Sequence, residues 1–286
     1  MRFLVLGASG MAGHVIALHL KERGHDVVGF SRRRVGFVES VAGDAMDAAL
    51  LERVVREGGF DVVVNAVGVL NRDAEEHRDR ASYLNAYLPH RLAALTADLP
   101  TRVVHMSTDC VFRGNTGPYT ESSFPDGETF YDRSKALGEL VDAKNLTLRN
   151  SIVGPDVNEE GIGLFNWFMR QEGPVKGFTG AIWTGLTTVE LARAIEAAAL
   201  EGATGLVNLV PDESISKFEL LRLFNERLRG GRVEIVPSGG LSLDKTLVRT
   251  SGALSFRAAP YEEQVREMAA WIRSHADLYP HYGLDR

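Results

Sequence analysis

Short apolar runs alternate with amphipathic segments through the first half of the chain. The apolar runs predict buried strands at residues 3–6, 27–30, 62–67, 103–106 and 146–148. The segments between them carry apolar residues at helical spacing and predict helices over 13–23, 45–57 and 81–97. Apolar strands that alternate with helices form a parallel sheet covered on both faces. The pattern therefore predicts an α/β fold with a doubly wound parallel sheet.

The alternation weakens beyond Gly154. Helices are predicted at 164–171, 191–200, 220–228 and 265–275, and short strands at 207–210 and 233–236. Thr187 with Glu190, and Ser216 with Glu219, have the spacing of capping boxes that open two of these helices. We therefore expect a sheet-forming domain over 1–153 and a smaller mixed α/β part over 154–286. The boundary is soft, because the chain can cross between the two parts more than once.

Composition and charge limit the partners and the cellular compartment that we expect for the protein. The chain has 286 residues, 44% of them hydrophobic, and a formal net charge of -6, which argues against nucleic acid as a main partner. Its one cysteine, Cys110, cannot form an intrachain disulfide, so a reducing cytoplasm is expected. No stretch approaches the roughly 18 apolar residues of a spanning helix, so no membrane partner is expected. The eight histidines lack zinc-ligand spacing, and no metal site is predicted.

A glycine-rich loop follows the first predicted strand and opens the first predicted helix. Gly7, Gly10 and Gly13 have a spacing that permits a tight turn, close approach to a phosphate and close helix–strand packing. The start of the helix offers free N–H groups and a positive dipole end to a pyrophosphate. The loop therefore predicts a Rossmann domain that binds a dinucleotide, with Ser9 and Met11 in the same site.

The end of the second predicted strand discriminates between cofactors. An acidic residue there would bind the ribose hydroxyls of NAD, but this chain has Ser31, Arg32 and Arg33, followed by a third arginine. Arginine pairs well with a 2′-phosphate, so NADP is predicted in preference to NAD; the alternative is a solvated basic turn. Asp44 either accepts a hydrogen bond from adenine or is a plain surface aspartate. Further cofactor contacts are expected after the 62–67 run, from Asn65, Ala66 and Gly68.

Polar side chains capable of chemistry follow the fourth predicted strand, and a second group of them comes some twenty residues later. Ser107, Thr108 and Asp109 leave the strand, and Tyr131 and Lys135 lie four residues apart, on one face of a helix. A tyrosine with a pKa of about 10 is a poor acid near neutrality, and a nearby ammonium would lower that pKa. A Tyr-x-x-x-Lys pair alone also fits an ordinary amphipathic helix. Its place after the glycine loop and the Ser-Thr-Asp strand end predicts reduction of a carbonyl by a nicotinamide dinucleotide.

This ordered set of motifs resembles the extended short-chain dehydrogenase/reductases, and most closely the dTDP-4-dehydrorhamnose reductase branch. The resemblance covers most of the first 155 residues, and beyond them it holds only in outline. It is carried by the three glycines, by Tyr131, Ser134 and Lys135, and by segments 107–112, 117–121 and 148–151.

The resemblance implies roles for individual residues. Thr108 would bind the substrate carbonyl, Tyr131 would donate the proton, and Lys135 would bind the nicotinamide ribose while tuning Tyr131. Asn85 would hold a water or a backbone group in a proton relay. Further residues implied to contact the cofactor are Asn85, Ser107, Tyr131, Lys135, Asn150 and Ser151. The residues implied to border the substrate are Thr108, Asp109, Cys110, Val111, Tyr131 and Trp183.

The implied reaction is the NADPH-dependent reduction of the 4-keto group of a nucleotide-linked 6-deoxyhexose, with residues 154–286 contributing to substrate binding. Cys110 and Ile152 stand where this branch often has tyrosine and tryptophan, so the nucleotide and the sugar stay open, and a UDP-N-acetylhexosamine derivative also fits. A redox-neutral epimerase with retained NAD and a non-catalytic NADP-binding regulatory subunit are competing interpretations of the same motifs. Cys110 also replaces the glutamate that dehydratases of the wider family use, which disfavours dehydration. The oligomeric state is open, with a homodimer as one outcome.

Overall fold

The computed structural model of the protein describes residues 1–284. The strands are β1 Arg2–Leu6, β2 Asp26–Ser31, β3 Glu39–Ala42, β4 Val62–Asn65, β5 Arg102–Thr108, β6 Leu146–Asn150, β7 Ile152–Val153, β8 Val175–Trp183, β9 Leu186–Thr187, β10 Gly205–Asn208, β11 Ile215–Ser216 and β12 Ile235–Asp244. The helices are α1 Met11–Glu22, α2 Ala48–Glu57, α3 Asn71–Glu76, α4 Arg78–Ala81, α5 Leu88–Leu95, α6 Phe130–Leu137, α7 Leu164–Met169, α8 Thr188–Glu201, α9 Lys217–Leu228 and α10 Tyr261–Ser274.

Seven strands form the large sheet, in the order β10-β6-β5-β4-β1-β2-β3, and each neighbouring pair is parallel. This confirms the predicted doubly wound α/β fold. The strand β3 was not predicted, because at this edge of the sheet its residues are half-buried or exposed and carry no apolar run. The strand β10 comes from beyond residue 153, so the large sheet is not confined to 1–153 and the chain does return to it.

The two faces of the sheet are covered by separate apolar cores. One core joins the sheet to α1, α8 and α10 and continues into the smaller sheets. The other joins it to α2, α5 and α6. Chain connections diverge between β1 and β4, because β2 and β3 lie to one side of β1 and β4 to β6 lie to the other. The carboxyl ends of the strands at such a divergence form a crevice, which is where open α/β sheets bind ligands.

The ends of several helices match their sequence signals. Thr187 and Ser216 cap α8 and α9, each accepting a hydrogen bond from a backbone N–H three residues later. The predicted helix 81–97 is interrupted, because residues Ser82–Tyr87 form a wider, π-helical turn between α4 and α5. Across residues 1–284, no helix is both long and apolar enough to cross a lipid bilayer.

Candidate active site

Two adjoining cavities lie at the carboxyl ends of the large sheet, with volumes of about 280 Å³ and about 440 Å³. Gly10, Ala66, Val67 and Gly68 line both cavities, so the two form one continuous crevice. The smaller cavity, called here the first cavity, lies at the ends of β1 to β4. The second cavity extends across the ends of β5 and β6.

The glycine loop forms the floor of this crevice. Gly7 has a φ of +83°, and a Cβ there would lie 2.9 Å from the Ala66 carbonyl oxygen. A Cβ on Gly13 would lie 2.0 Å from the Gly7 carbonyl oxygen, so helix α1 can approach β1 only because residue 13 has no side chain. No side chain caps the start of α1, where Gly10 is the N-cap residue. Its first N–H groups are therefore available to an anion, which fits the pyrophosphate of a dinucleotide.

Most of the residues predicted to discriminate between cofactors line the first cavity. Ser31, Arg32 and Asp44 line the first cavity, whereas Arg33 does not. The Ser31 hydroxyl instead donates to the Arg33 carbonyl oxygen at 2.6 Å, which shapes the turn that presents Arg32. The first cavity thus has an arginine on its wall, a residue that pairs well with phosphate groups.

Two asparagines expected to contact the cofactor instead bond to the backbone of the loop that lines the crevice. Neither lines a cavity, and both are fully buried. Asn65 accepts a hydrogen bond from the Val67 N–H at 3.2 Å and pairs with His105. Asn85 lies in the π-helical turn, accepts from the Val69 N–H at 2.8 Å and donates to the Val69 carbonyl oxygen at 2.9 Å. Both side chains therefore hold the loop after β4 in place.

The reaction end of the crevice brings together residues that are distant in sequence. Thr108, Tyr131 and Lys135 all line the second cavity. The other predicted residues that line it are Met11, Ser107, Asp109, Cys110, Asn150 and Ser151. The Asn150 amide nitrogen is buried and has no hydrogen-bond partner among the described residues. An unpaired donor at this wall fits a polar ligand such as the nicotinamide end of the cofactor.

Two sets of hydrogen bonds hold the helix α6, which carries Tyr131 and Lys135. Thr129 and Asp132 form a reciprocal capping box at the start of α6. The carboxylate of Glu75, on α3, also accepts a hydrogen bond from the Phe130 N–H at 2.6 Å. The first turn of α6 is thereby attached both to its own N-cap and to α3.

The pKa of Tyr131 beside Lys135 differs from the prediction. Burial raises the pKa of Tyr131, although its hydrogen bond with the Thr108 hydroxyl lowers it in part. Burial also lowers the pKa of Lys135 to about 8, and the Lys135 ammonium donates to the Met106 carbonyl oxygen at 2.6 Å. The predicted lowering of the tyrosine pKa by Lys135 is therefore wrong for this arrangement, because burial of the phenol dominates. Tyr131 is a protonated phenol at neutral pH.

A buried ion pair that the sequence did not reveal lies behind these residues. Glu139 accepts hydrogen bonds from Arg149 Nε at 2.7 Å and Nη2 at 2.6 Å, and from the Ser107 hydroxyl at 2.7 Å. The arginine and glutamate side chains are 3% and 6% exposed. Glu139 also opposes the lowering of the Lys135 pKa. One carboxylate, two residues beyond the end of α6, thus connects this segment with β5 and β6.

Two residues expected to border the substrate lie away from the cavity. Trp183 is 4% exposed and packs beside Tyr261 with ring centres 5.8 Å apart. Val111 is fully buried in a small apolar cluster with Phe112 and Tyr119. Neither side chain lines the crevice, so the structure provides no direct substrate contact for them.

Several cavity residues carried no sequence signal, because they lie on the short helices α3 and α4 or on loops, where no apolar pattern marks them. Asp73 and Arg80 form an ion pair on the wall of the first cavity. Asn71 lines the second cavity with a φ of 41°, a left-handed conformation that asparagine tolerates better than most residues. The other unpredicted residues of the second cavity include Leu70, Asp156 and Ile162.

The parallel sheet, the glycine loop and the Tyr131–Lys135 pair are together typical of short-chain dehydrogenase/reductases. The family model described as the RmlD substrate binding domain matches residues 1–153, more than half of the chain. The chain therefore belongs to the RmlD substrate binding domain family.

Individual relatives agree with this assignment. The chain is 33% identical over 146 residues to the dTDP-4-dehydrorhamnose reductase of Mycobacterium tuberculosis, covering 48% of this chain and 44% of the relative. It is 29% identical over 248 residues to the dTDP-4-keto-6-deoxy-D-glucose reductase of Streptomyces niveus, covering 83% of each. The matched region thus spans less than half the length of the mycobacterial relative.

A solved structure extends the comparison to the fold of nearly the whole chain. The dTDP-4-dehydrorhamnose reductase of Bacillus anthracis in complex with NADP superposes with a TM-score of 0.79 at 19% identity. The superposition covers 94% of this chain and 99% of the other. At this identity the likeness establishes a shared fold.

Proposed function

We propose that the protein is a reductase that uses NADPH to reduce the 4-keto group of a nucleotide-linked 6-deoxyhexose. The observation that carries the proposal is the convergence of Thr108, Tyr131 and Lys135 on one wall of a cavity that continues to the glycine loop. Arg32 in the first cavity supports NADPH over NADH. The names of the mycobacterial and Streptomyces relatives support the class of substrate.

When bound, the nicotinamide would supply the hydride. The protein's own part is to polarise the carbonyl and to deliver a proton to its oxygen. Tyr131 donates its phenolic proton to that oxygen as negative charge develops there, and the Thr108 hydroxyl donates a hydrogen bond to the same atom. The raised pKa of Tyr131 keeps the phenol protonated before the reaction, but it does not make the phenol a stronger acid. The Lys135 ammonium would bind the ribose of the cofactor, and it adds positive charge to the wall where the alkoxide forms.

The test of the proposal is consumption of NADPH with a panel of nucleotide-linked 4-keto sugars, with the wild-type protein and Tyr131→Phe compared at equal NADPH occupancy. Loss of a general acid lowers turnover by about 10²- to 10⁴-fold, while NADPH binding should persist. Tyr87→Phe is the matched control, because Tyr87 is 52% exposed and lines neither cavity.

Three results would redirect the assignment. Unchanged turnover and pH profile in Tyr131→Phe would remove the proposed acid. An absorbance spectrum showing tightly retained NAD in the purified protein would favour a redox-neutral epimerase. NADPH binding without turnover of any sugar in the panel would favour a regulatory NADP-binding subunit.

A further inference from the structure

Three buried side chains form a hydrogen-bonded chain that ends at the glycine loop. Trp271, on α10, donates its indole N–H to the Tyr279 hydroxyl at 3.1 Å. That hydroxyl lies 2.7 Å from His14 Nε2, and His14 Nδ1 lies 2.9 Å from the Gly10 carbonyl oxygen. All three side chains are buried, and His14 is completely so. Tyr279, 265 positions after His14 in the sequence, thus connects α10 to the glycine loop.

The chemistry of these groups fixes the direction of each hydrogen bond. A carbonyl oxygen only accepts, so His14 Nδ1 carries a proton and donates it to Gly10. Burial lowers the pKa of His14 to about 4, so at neutral pH the ring is uncharged and its Nε2 accepts from the Tyr279 hydroxyl. An indole N–H only donates, and the Tyr279 oxygen accepts it. The network therefore has a single arrangement of its protons.

The bond to Gly10 acts on a peptide unit that borders the crevice. The Gly10–Met11 peptide is planar and trans, so its N–H points away from its carbonyl oxygen. The same oxygen accepts from the His14 backbone N–H at 3.1 Å, so the backbone and the ring of one residue hold one atom. Gly10 and Met11 both line the second cavity, and no side chain caps the start of α1. The Met11 N–H, one of the free groups at the start of this helix, is thereby held in a fixed direction.

We propose that His14 is a positioning residue for the pyrophosphate of the dinucleotide, and that Tyr279 and Trp271 hold His14 in place. The inference rests on the cofactor of the function proposed above. A phosphate at the start of a helix is bound by backbone N–H groups, and the strength of these bonds depends on their direction. A peptide unit that is held before the ligand arrives loses less entropy on binding. None of the three side chains lines either cavity, so they act on the cofactor through the Gly10 backbone.

Calorimetric titration with NADP⁺ and with adenosine 2′-monophosphate tests the inference without turnover, because only NADP⁺ contains the pyrophosphate. His14→Leu removes the bond to Gly10 and should weaken NADP⁺ binding by about 10-fold, whereas the affinity for adenosine 2′-monophosphate should be unchanged. Tyr279→Phe keeps that bond but releases the other side of the ring, and should weaken NADP⁺ binding by about 3-fold.

Tyr261→Phe is the matched control. Tyr261 is a buried tyrosine at the start of α10, and its hydroxyl donates to the Trp183 carbonyl oxygen at 3.2 Å, away from both cavities. Tyr261→Phe and Tyr279→Phe should both lower the unfolding midpoint, because each removes a buried hydroxyl that forms a hydrogen bond. Only Tyr279→Phe should weaken NADP⁺ binding.

Equal NADP⁺ affinity of the wild type and His14→Leu would overturn the inference. An equal loss of affinity for adenosine 2′-monophosphate would overturn it too, because the effect would then not be confined to the pyrophosphate. Variants that lose NADP⁺ affinity as expected, in a protein that consumes no NADPH with any sugar of the panel, would overturn the reductase proposal and leave this role of His14 standing.

Discussion

The Glu139→Gln replacement probes the buried network behind the candidate active site. Glu139 accepts two hydrogen bonds from Arg149 and one from Ser107, and the ion pair is almost completely excluded from solvent. Glutamine keeps the shape of the side chain but loses its charge and one acceptor oxygen. The Arg149 guanidinium would then be a buried charge without a counterion.

Removing one partner of such a pair costs about 3–5 kcal/mol. Little else compensates Arg149, because its remaining contacts are a 3.4 Å hydrogen bond to the Glu121 carbonyl oxygen and the Phe112 ring at 5.1 Å. We therefore expect a loss of about 3 kcal/mol or more. A domain with a typical stability of about 5–15 kcal/mol would still fold, so the loss is measurable.

Urea unfolding followed by tryptophan fluorescence measures this loss, provided that the slope m is unchanged. Glu219→Gln is the matched control, because the Glu219–Arg222 pair is exposed and should contribute less than about 1 kcal/mol. The double replacement Glu139→Gln with Arg149→Met should recover part of the stability. Equal effects of Glu139→Gln and Glu219→Gln would refute the reasoning.

The same replacement should alter the pH dependence of turnover. Burial lowers the pKa of Lys135 to about 8, and Glu139 opposes that lowering. Without the Glu139 charge the Lys135 pKa falls further, so the alkaline decline of turnover should begin at a lower pH than in the wild type. An unshifted decline would show that Lys135 does not govern it.

Two further predictions concern the glycine loop and a buried histidine. Gly13→Ala places a methyl group 2.0 Å from the Gly7 carbonyl oxygen, so the loop must move and turnover should fall by about 100-fold. Gly173→Ala is the control and should leave steady-state kinetics unchanged, because no atom lies within 4 Å of the added methyl group. Equal kinetics in both variants would contradict this prediction. Burial lowers the pKa of His14 from 6.5 to about 4, so the unfolded chain binds more protons between these values, and the stabilisation present above pH 6.5 is lost as the pH falls towards 4. Urea unfolding across this pH range measures the free energy of unfolding of the wild type and of His14→Gln. The difference between them should shrink with falling pH, by at most about 3 kcal/mol. A difference that stays constant would exclude the titration of His14.

Local patterns of the sequence were sufficient for most strands of the large sheet and for the glycine loop that lines the first cavity. Buried strands of a parallel sheet read as apolar runs, and a glycine loop acts through its own backbone, so both are visible in a few consecutive residues. The same holds for the N-caps Thr187 and Ser216. The edge strand β3 was not predicted, because its half-exposed residues form no apolar run. The strand β10 could not be assigned to the large sheet, because the sequence of a strand does not specify which strand it pairs with.

The sequence by itself determined an α/β fold, a loop suited to a dinucleotide and the identity of Thr108, Tyr131 and Lys135 as neighbours in one reactive set. Only the tertiary structure decided how those side chains are charged, since a pKa depends on burial and on groups brought in from distant segments. It also placed Trp183 beside Tyr261, away from the cavity, and paired Glu139 with Arg149. Contacts between remote residues arise from packing, and no local spacing encodes them.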